Sequence, residues 1–261
     1  MLLLLPPSEG KAQPNGRRRP LDLTTVSFPE LTPVRQRVMD HLVALCSGDE
    51  TTAAEVLGLS PGLIGEVARN RDLATAPTLP ASQLFTGVLY EALDLASLKA
   101  AATRRANRSV LVFSGLFGVL RPTDRVPAHR LAADVSLPGV GPVASLWRAA
   151  LDDVMAAAAG RSGLVLDLRS SAYAAMWRPT GEPARRTVSV RVLHERRPGD
   201  PTSRVVVSHF NKATKGRLAR ALLLDGAQPT NRAGVIEMLG GLGFHAEPSG
   251  QGRVDVVVEA P

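Results

Sequence analysis

Short apolar runs, each ended by glycine, proline or polar residues, recur along this chain and predict the strands of a β-sheet. The clearest run is VLVF at residues 110–113, which leads directly into a turn that contains Gly115 and Gly118. An alternating run at 188–193 predicts a half-exposed strand, with residues 205–210 as its antiparallel partner. The other predicted strands lie at residues 1–5, 164–168 and 253–260.

Apolar residues spaced three or four positions apart predict that residues 34–109 are largely helical. Further helices are predicted at 141–160, where Gly160 can end the helix, and at 211–224. Strands and helices that mix in this way indicate an α/β (mixed α+β) fold. We expect a single domain over residues 1–261, with a mixed sheet and a mainly helical insertion at 34–109 after the first strand.

The composition adds a strong positive charge to this picture. The 261 residues are 44% hydrophobic, which is enough for a large core, and the formal net charge is +7. A basic balance favours anionic partners such as nucleic acid or phosphorylated small molecules, although an arginine-rich coding bias would produce the same balance. Only four of the 31 basic residues are lysines, and three of the four follow predicted strands. Such positions suit a compact amine that can lose its proton.

Several classes of site and location are disfavoured by the sequence. Cys46 is the single cysteine, so neither an intrachain disulfide nor a thiolate metal cluster is available. The histidines lack zinc-site spacing, so we assign no metal, and no motif identifies a cofactor. The MLLLLPP segment is too short for a signal peptide, and no apolar run reaches membrane-spanning length. We therefore expect a soluble cytoplasmic protein with no membrane partner.

Polar residues follow four of the predicted strands, in the segments PPSEGK, SGLFGVLRPTD, DLRSS and SHFNKATKG. Open α/β sheets bind ligands beyond the carboxyl ends of their strands, so these four loops are candidates for one shared crevice. In the alternative interpretation each loop is simply solvated and its charges never meet the others. The shared crevice would hold the cations Lys11, Arg121, Arg169, Lys212 and Lys215.

A crevice of this kind predicts an enzyme that acts on a phosphate- or carboxylate-bearing small molecule. Lys11 or Lys212 would serve as base or nucleophile, while Arg121 and Arg130 would clamp the anion. A serine hydrolase is not predicted, because FSGLFG lacks the first glycine of a nucleophile elbow. Further candidates for substrate binding are Ser8, Ser114, Asp124 and Ser170.

Two segments have features of nucleic-acid binding. SHFNKATKGRLAR predicts a basic turn that leads into a helix, a suitable setting for phosphate, with an ordinary solvated helix face as the alternative. Its cations are Lys212, Lys215, Arg217 and Arg220. LGLSPGLIGEVARNR at 57–71 loosely resembles a helix-hairpin-helix, with Arg69 and Arg71 in its second helix. A plain αα-hairpin remains the alternative for this segment.

Taken together, these segments resemble the YaaA family, also called DUF328 or UPF0246, whose members are described as peroxide-stress proteins. FSGLFGVLRPTDRVPAHRL resembles the family's S-G-L-Y-G-V-L-R-P-x-D-x-x-x-x-Y-R-L stretch, with His129 where tyrosine is usual. VLDLRSSAYAAMW resembles its N-L-A-S-x-E-Y strand, with Ala172 in place of the acidic residue. The segment that contains Lys212 and Arg220 and the opening LPPSEGK, with Lys11 as the matching lysine, complete the resemblance.

The resemblance implies resistance to hydrogen peroxide and DNA binding through a helix-hairpin-helix-like element in an unusual α/β fold. Our leading hypothesis is therefore a cytoplasmic peroxide-stress protein that binds DNA through a basic surface without strong sequence preference. The alternative is the enzyme described above. We also predict that Lys11 and Lys212 point into a common cavity. A deep pocket that unites Lys11, Arg121, Ser170 and Lys212 would favour the enzyme, and an open basic face would favour the DNA-binding protein.

Overall fold

The computed structural model describes residues 1–14 and 19–259, apart from the side chains of Ser208 and His209. Its β-strands follow the apolar runs of the sequence and alternate with helices along the chain. The strands are β1 (Leu2–Leu5), β2 (Thr78–Pro80), β3 (Val110–Ser114), β4 (Gly118–Leu120), β5 (Arg125–Pro127), β6 (Ser136–Leu137), β7 (Gly141–Pro142), β8 (Val165–Asp167), β9 (Thr187–Glu195), β10 (Arg204–Val205), β11 (His245–Pro248) and β12 (Arg253–Glu259).

Most of these strands form one mixed sheet in the order β11-β12-β9-β8-β1-β3-β4, with β10 also paired to β9. Strands β12, β9, β8, β1 and β3 run parallel to one another, whereas β4, β10 and β11 are antiparallel to their neighbours. Every residue of β1 and β3 is buried. Parallel strands are usually covered on both faces, which explains why the sequences of these two strands are almost entirely apolar. Strand β9 alternates in burial along its first half, as its alternating sequence predicts. The mixed α/β fold class is confirmed.

The described residues form eleven α-helices. They are α1 (Thr32–Ser47), α2 (Glu50–Val56), α3 (Gly65–Arg71), α4 (Ala81–Leu84), α5 (Val88–Leu93), α6 (Ala100–Ser109), α7 (Val143–Ala159), α8 (Ser171–Ala174), α9 (Gly181–Arg185), α10 (Ser208–Asp225) and α11 (Arg232–Gly241). Helices α1 to α6 all lie between β1 and β3, in the interval where apolar spacing predicts helix. Within the described ranges, no helix is both long enough and apolar enough to cross a membrane.

Helix α7 fixes the hairpin between β3 and β4. Trp147 is fully buried, and its indole Nε1 donates to the Gly115 carbonyl oxygen at 2.6 Å. Gly118 has a φ of +72°, and a Cβ at this position would lie 2.6 Å from the Trp147 ring. Both the backbone angle and the close approach therefore require glycine. The same helix ends at Gly160, which has a φ of +62°, as predicted.

The strand predicted at 205–210 is wrong beyond Val205. Strand β10 contains only Arg204 and Val205, which pair antiparallel with Glu195 and His194 of β9. From Ser208 the chain is helical, so the polar residues that follow the short apolar run belong to α10. Three consecutive valines indicate a strand by propensity, but propensity does not fix where pairing with a neighbour stops. The last predicted strand, at 253–260, is observed as Arg253–Glu259, and Ala260 lies outside the described residues.

Candidate functional site

The carboxyl edge of the parallel strands has one point where the direction of strand addition reverses. The chain passes from β1 to β3 on one side, and it later places β8 on the other side of β1. Loops that leave an open α/β sheet on the two sides of such a point diverge and form a ligand-binding crevice. Here the loops are residues 6–11 after β1 and residues 168–173 after β8, and we call the space between them the switch-point crevice.

The loop after β1 brings Lys11 into this crevice. The Lys11 Nζ donates to the carbonyl oxygens of Ser8 at 3.0 Å and Glu9 at 3.4 Å. It also lies 5.7 Å from the centroid of the Phe85 ring. The backbones of Lys11 and Phe85 form a β-bridge, and this bridge holds the loop in place. The Lys11 amine is therefore held in a fixed position, with the Phe85 ring on one side.

Glu9 connects the two sides of the crevice. Its Oε1 accepts from the Tyr173 hydroxyl at 3.3 Å, and its Oε2 lies 3.3 Å from the Nε of Arg130. Arg130 is anchored in turn by the fully buried Asn70, whose amide accepts from the Arg130 backbone N–H at 2.8 Å and donates to its carbonyl at 2.7 Å. We call Glu9, Lys11, Arg130 and Tyr173 the Lys11 cluster.

Burial changes the acid–base properties of this cluster. Desolvation lowers the pKa of Lys11 to about 8; the charge of Glu9 opposes the shift and that of Arg130 adds to it. Burial, together with the nearby Glu9 carboxylate, raises the pKa of Tyr173 well above its usual value. Tyr173 therefore stays a neutral hydrogen-bond donor, while a minor fraction of the Lys11 amine, far larger than for a solvated lysine, is unprotonated near neutral pH.

A buried serine–histidine pair lies beside the Lys11 cluster. The His129 Nε2 is 3.0 Å from the Ser114 Oγ, and its Nδ1 is 2.9 Å from the Pro127 carbonyl oxygen. A carbonyl only accepts, so Nδ1 carries the proton and Nε2 accepts from the Ser114 hydroxyl. Burial and the charge of Lys11 lower the pKa of His129 to about 3, so the ring stays neutral. With both side chains enclosed, this pair is a structural support for the crevice.

The lysine of α10 that reaches the β8 side of the crevice is Lys215. Its Nζ donates to the carbonyl oxygens of Leu168 at 2.9 Å and Arg169 at 3.3 Å, and burial lowers its pKa. Lys212, one turn earlier, is exposed on the helix surface. Ser170 is also exposed and precedes α8. The cavity predicted to be shared by Lys11 and Lys212 is therefore not supported, since Lys215 takes the position expected of Lys212.

Arg169 is held inside the protein. It makes a bidentate pair with Asp167 at 2.9 and 2.6 Å and donates to the carbonyls of Tyr173 and Trp177. Its guanidinium lies 4.2 Å from the centroid of the Phe113 ring. All of these contacts stiffen the loop after β8, so Arg169 shapes the crevice and does not bind within it.

The structure places Arg121 and Asp124 at the opposite edge of the sheet. Strand β4 runs antiparallel to β3, so the hairpin carries the chain from Ser114 back to the start of β3. Arg121 donates to the carbonyls of Asn107 and Arg108 at the end of α6. Asp124 accepts from the backbone N–H of Arg121 and from Ser27. These two residues stabilise local structure and do not join the Lys11 cluster.

Four of the six predicted DNA-binding residues are engaged within the protein. Arg69 pairs with Glu66, and the Arg71 Nε lies 3.2 Å from an Asp72 carboxylate oxygen. Arg220 donates to the carbonyls at the end of α5, and Lys215 reaches the crevice as described above. Lys212 and Arg217 are exposed and form no ion pair among the described residues. Segment 57–71 itself forms a short 3-10 helix, Pro61–Leu63, followed by α3.

Helix α6 carries a row of cations that the sequence reasoning missed. The interval 99–109 contains four cations and no acidic residue, a signal that was available in the sequence. Arg105 is turned inward and donates to the carbonyls of Leu223 and Leu224, which ties α6 to α10. We call the exposed cations of these two helices, together with the N-cap residue of α6, the basic surface: Lys99, Arg104, Arg108, Lys212 and Arg217.

The described residues contain no group of three or more His, Cys, Asp or Glu side chains placed to hold a metal ion.

The fold and the site together define a mixed α/β protein with a lysine-bearing switch-point crevice and a basic surface on two packed helices. The family model described as peroxide stress protein YaaA matches residues 1–246.

Relatives match over nearly the whole chain. A UPF0246 protein of Streptomyces coelicolor is 56% identical over 99% of this chain and 98% of its own. A UPF0246 protein of Corynebacterium efficiens is 41% identical over 95% of both chains. An uncharacterized protein of Campylobacter jejuni is 26% identical over 84% of this chain and 82% of its own. The chain belongs to the YaaA (UPF0246) family, which confirms the resemblance drawn from its motifs.

Proposed function

We propose that this chain is a cytoplasmic peroxide-stress protein that binds DNA through its basic surface. The observation that carries the proposal is the lack of acidic partners there. Within the described part of the chain, none of the five cations of the basic surface forms an ion pair. A cation that has no internal carboxylate keeps its full charge for a phosphate.

The spacing of these cations also suits a phosphate backbone. Arg104 and Arg108 are four positions apart on α6, so both side chains lie on the same exposed face. In contrast, the arginines of the 57–71 hairpin are each neutralised by a neighbouring carboxylate. Contacts with phosphates position a protein on DNA without reading its sequence, which agrees with binding of low sequence preference.

The test is the salt dependence of affinity for a DNA duplex, measured by fluorescence anisotropy. Each phosphate contact releases counterions and adds about 0.9 to the slope of log affinity against log salt. Arg104→Gln/Arg108→Gln is expected to lower this slope by about 2 and the affinity about 60-fold at roughly 0.1 M salt. Glutamine keeps helix propensity close to that of arginine, so the fold is preserved.

A control with the same net charge separates this surface from overall charge. Arg185 and Arg197 are exposed, and each is ion-paired with an acidic residue on the same segment. Arg185→Gln/Arg197→Gln is expected to leave the salt slope unchanged. No binding of wild-type protein to duplex at low salt would overturn the proposal, as would an equal loss of affinity in the two double variants.

A second candidate function is an enzyme that acts on a phosphate- or carboxylate-bearing small molecule in the switch-point crevice. The position of Lys11 favours it: a desolvated amine at the edge of the sheet where such folds bind ligands. Thermal-shift screening against nucleotides, phosphorylated metabolites and carboxylic acids tests this candidate. A ligand that stabilises the wild type is expected to lose its effect in Arg130→Gln and to keep it in Arg232→Gln. Equal stabilisation of the two variants would exclude the crevice as the site.

A further inference from the structure

The surroundings of Lys11 set it apart as a chemical group. Its ammonium is held by two backbone carbonyls and faces the Phe85 ring, in a setting that desolvates the charged form. Phe85 in turn makes a T-shaped contact with His129, at 6.4 Å between ring centroids, which supports the Phe85 ring on the side away from Lys11. A lysine amine with a purely structural role is usually either fully solvated or close to a carboxylate. The Lys11 amine is neither.

The charged groups around Lys11 come from three different segments. Glu9 lies on its own loop, Arg130 follows β5, and Glu66 and Arg69 belong to α3. Glu9 pairs with Arg130, and Arg130 offers a guanidinium whose backbone is fixed by Asn70. An amine that can act as a nucleophile and an anion-binding group thus lie close together.

We propose that Lys11 forms an imine with the carbonyl group of an anionic substrate bound in the switch-point crevice. The proposal rests on the second candidate function and names its chemistry. Arg130 takes the carboxylate or phosphate of the substrate, a role that suits a guanidinium. Lysine is needed because arginine stays protonated and cannot act as the nucleophile.

The step balances without any further reactant. The Lys11 ammonium loses one proton to water, and the nitrogen lone pair forms a bond to the carbonyl carbon. The carbonyl oxygen takes up that proton and a second one from the attacking nitrogen and leaves as water, so the products are one protonated imine and one water molecule. Tyr173, a neutral donor to Glu9, helps hold that carboxylate in position.

Reductive trapping with borohydride tests the proposal, because hydride converts the imine into a stable secondary amine. Two probes supply an anionic carbonyl compound: pyruvate, and a DNA duplex that contains an abasic site. The protein has only four lysines, so mass spectrometry of its peptides assigns the adduct without ambiguity. We expect one adduct on Lys11, absent in Lys11→Met and retained in the exposed control Arg185→Gln.

The two probes also identify the source of the carbonyl group. Trapping of pyruvate alone indicates a small oxo acid, and trapping of abasic DNA alone indicates a DNA aldehyde; both support the imine. The absence of an adduct with either probe, or adducts spread over Lys99 and Lys212, would overturn it. If no adduct forms but anions still stabilise the protein in an Arg130-dependent way, the second candidate function stands and only the imine is refuted.

Discussion

Replacement of Lys11 by methionine is expected to make the protein more stable at neutral pH, because burial of the Lys11 ammonium destabilises the folded wild-type protein. Burial lowers the pKa of Lys11 from 10.5 to about 8. A shift of that size corresponds to about 3 kcal/mol of native-state destabilisation of the charged form. Partial exposure and the loss of the hydrogen bonds to Ser8 and Glu9 reduce the expected gain to about 1–2 kcal/mol in Lys11→Met.

The sign of the pH dependence follows from the order of the two pKa values. Since the pKa of Lys11 is lower in the folded state, the unfolded chain binds more protons between pH 8 and 10.5. The destabilisation is therefore complete below pH 8, shrinks as pH rises, and is absent above pH 10.5. The charged groups that face the amine are Glu9, Arg130, Glu66 and Arg69.

Urea denaturation at a series of pH values measures the difference in free energy of unfolding between wild type and Lys11→Met. The exposed control Lys99→Met is expected to differ from wild type by less than about 0.5 kcal/mol at every pH. A Lys11→Met variant that is less stable than wild type by an amount independent of pH would refute the reasoning. It would show that Lys11 is a structural residue and not a desolvated amine.

Three further changes test other parts of the structure. Arg35→Met is expected to destabilise the protein by about 3 kcal/mol or more in urea denaturation, because fully buried Arg35 donates to three backbone carbonyls. A loss under about 1 kcal/mol would contradict those contacts. Gly216→Ala should destabilise the protein by about 1–3 kcal/mol through overpacking, and so lower its melting temperature, since a Cβ there would clash with the Leu89 carbonyl oxygen; an unchanged melting temperature would show that α5 and α10 are packed more loosely. Tyr173→Phe removes one hydrogen bond to Glu9 and should cost about 1 kcal/mol in the same denaturation assay, and no change would mean that this bond is not formed.

Much of the fold could be predicted from the chain, because strands buried on both faces leave a clear signal. The runs that became β1 and β3 begin with four consecutive apolar residues, the run around β8 is apolar except for Asp167, and each is ended by polar or turn-forming residues. The family could be inferred for a different reason: the motif around Ser114 is long enough to be specific. Neither signal contains the order of strands within the sheet.

The candidate site was predicted only in part, because topology decides which loops meet. Lys11 and Arg130 lie close to a common carboxylate, as a shared crevice requires. Arg121 was assigned to the same crevice because it follows a strand, but the tight hairpin at Gly118 reverses the chain and returns it to the far edge. The role of Tyr173 could not be predicted from residue spacing, since its contact with Glu9 joins residues 164 positions apart.

The nucleic-acid elements show a second limit of sequence reasoning. Exposure and ion pairing, which decide whether an arginine can bind a phosphate, depend on neighbours in space. Arg69 and Arg220 have the right residue type in basic segments, yet both are occupied by groups of the protein itself. Arg104 and Arg108 could have been predicted from the stretch without acidic residues around them. Because they have no ion-pair partner in the folded protein, they are stronger candidates for phosphate binding than Arg69 and Arg220.

Hydrogen–deuterium exchange with and without a DNA duplex tests the central claim most directly, because it reports where the DNA lies on the protein. Bound DNA that covers the basic surface should slow exchange in peptides from 99–109 and from α10, with little change at 57–71. The Arg104→Gln/Arg108→Gln variant should lose this protection at the same DNA concentration. Protection centred on the 57–71 hairpin, or protection that is unchanged in the double variant, would contradict the account.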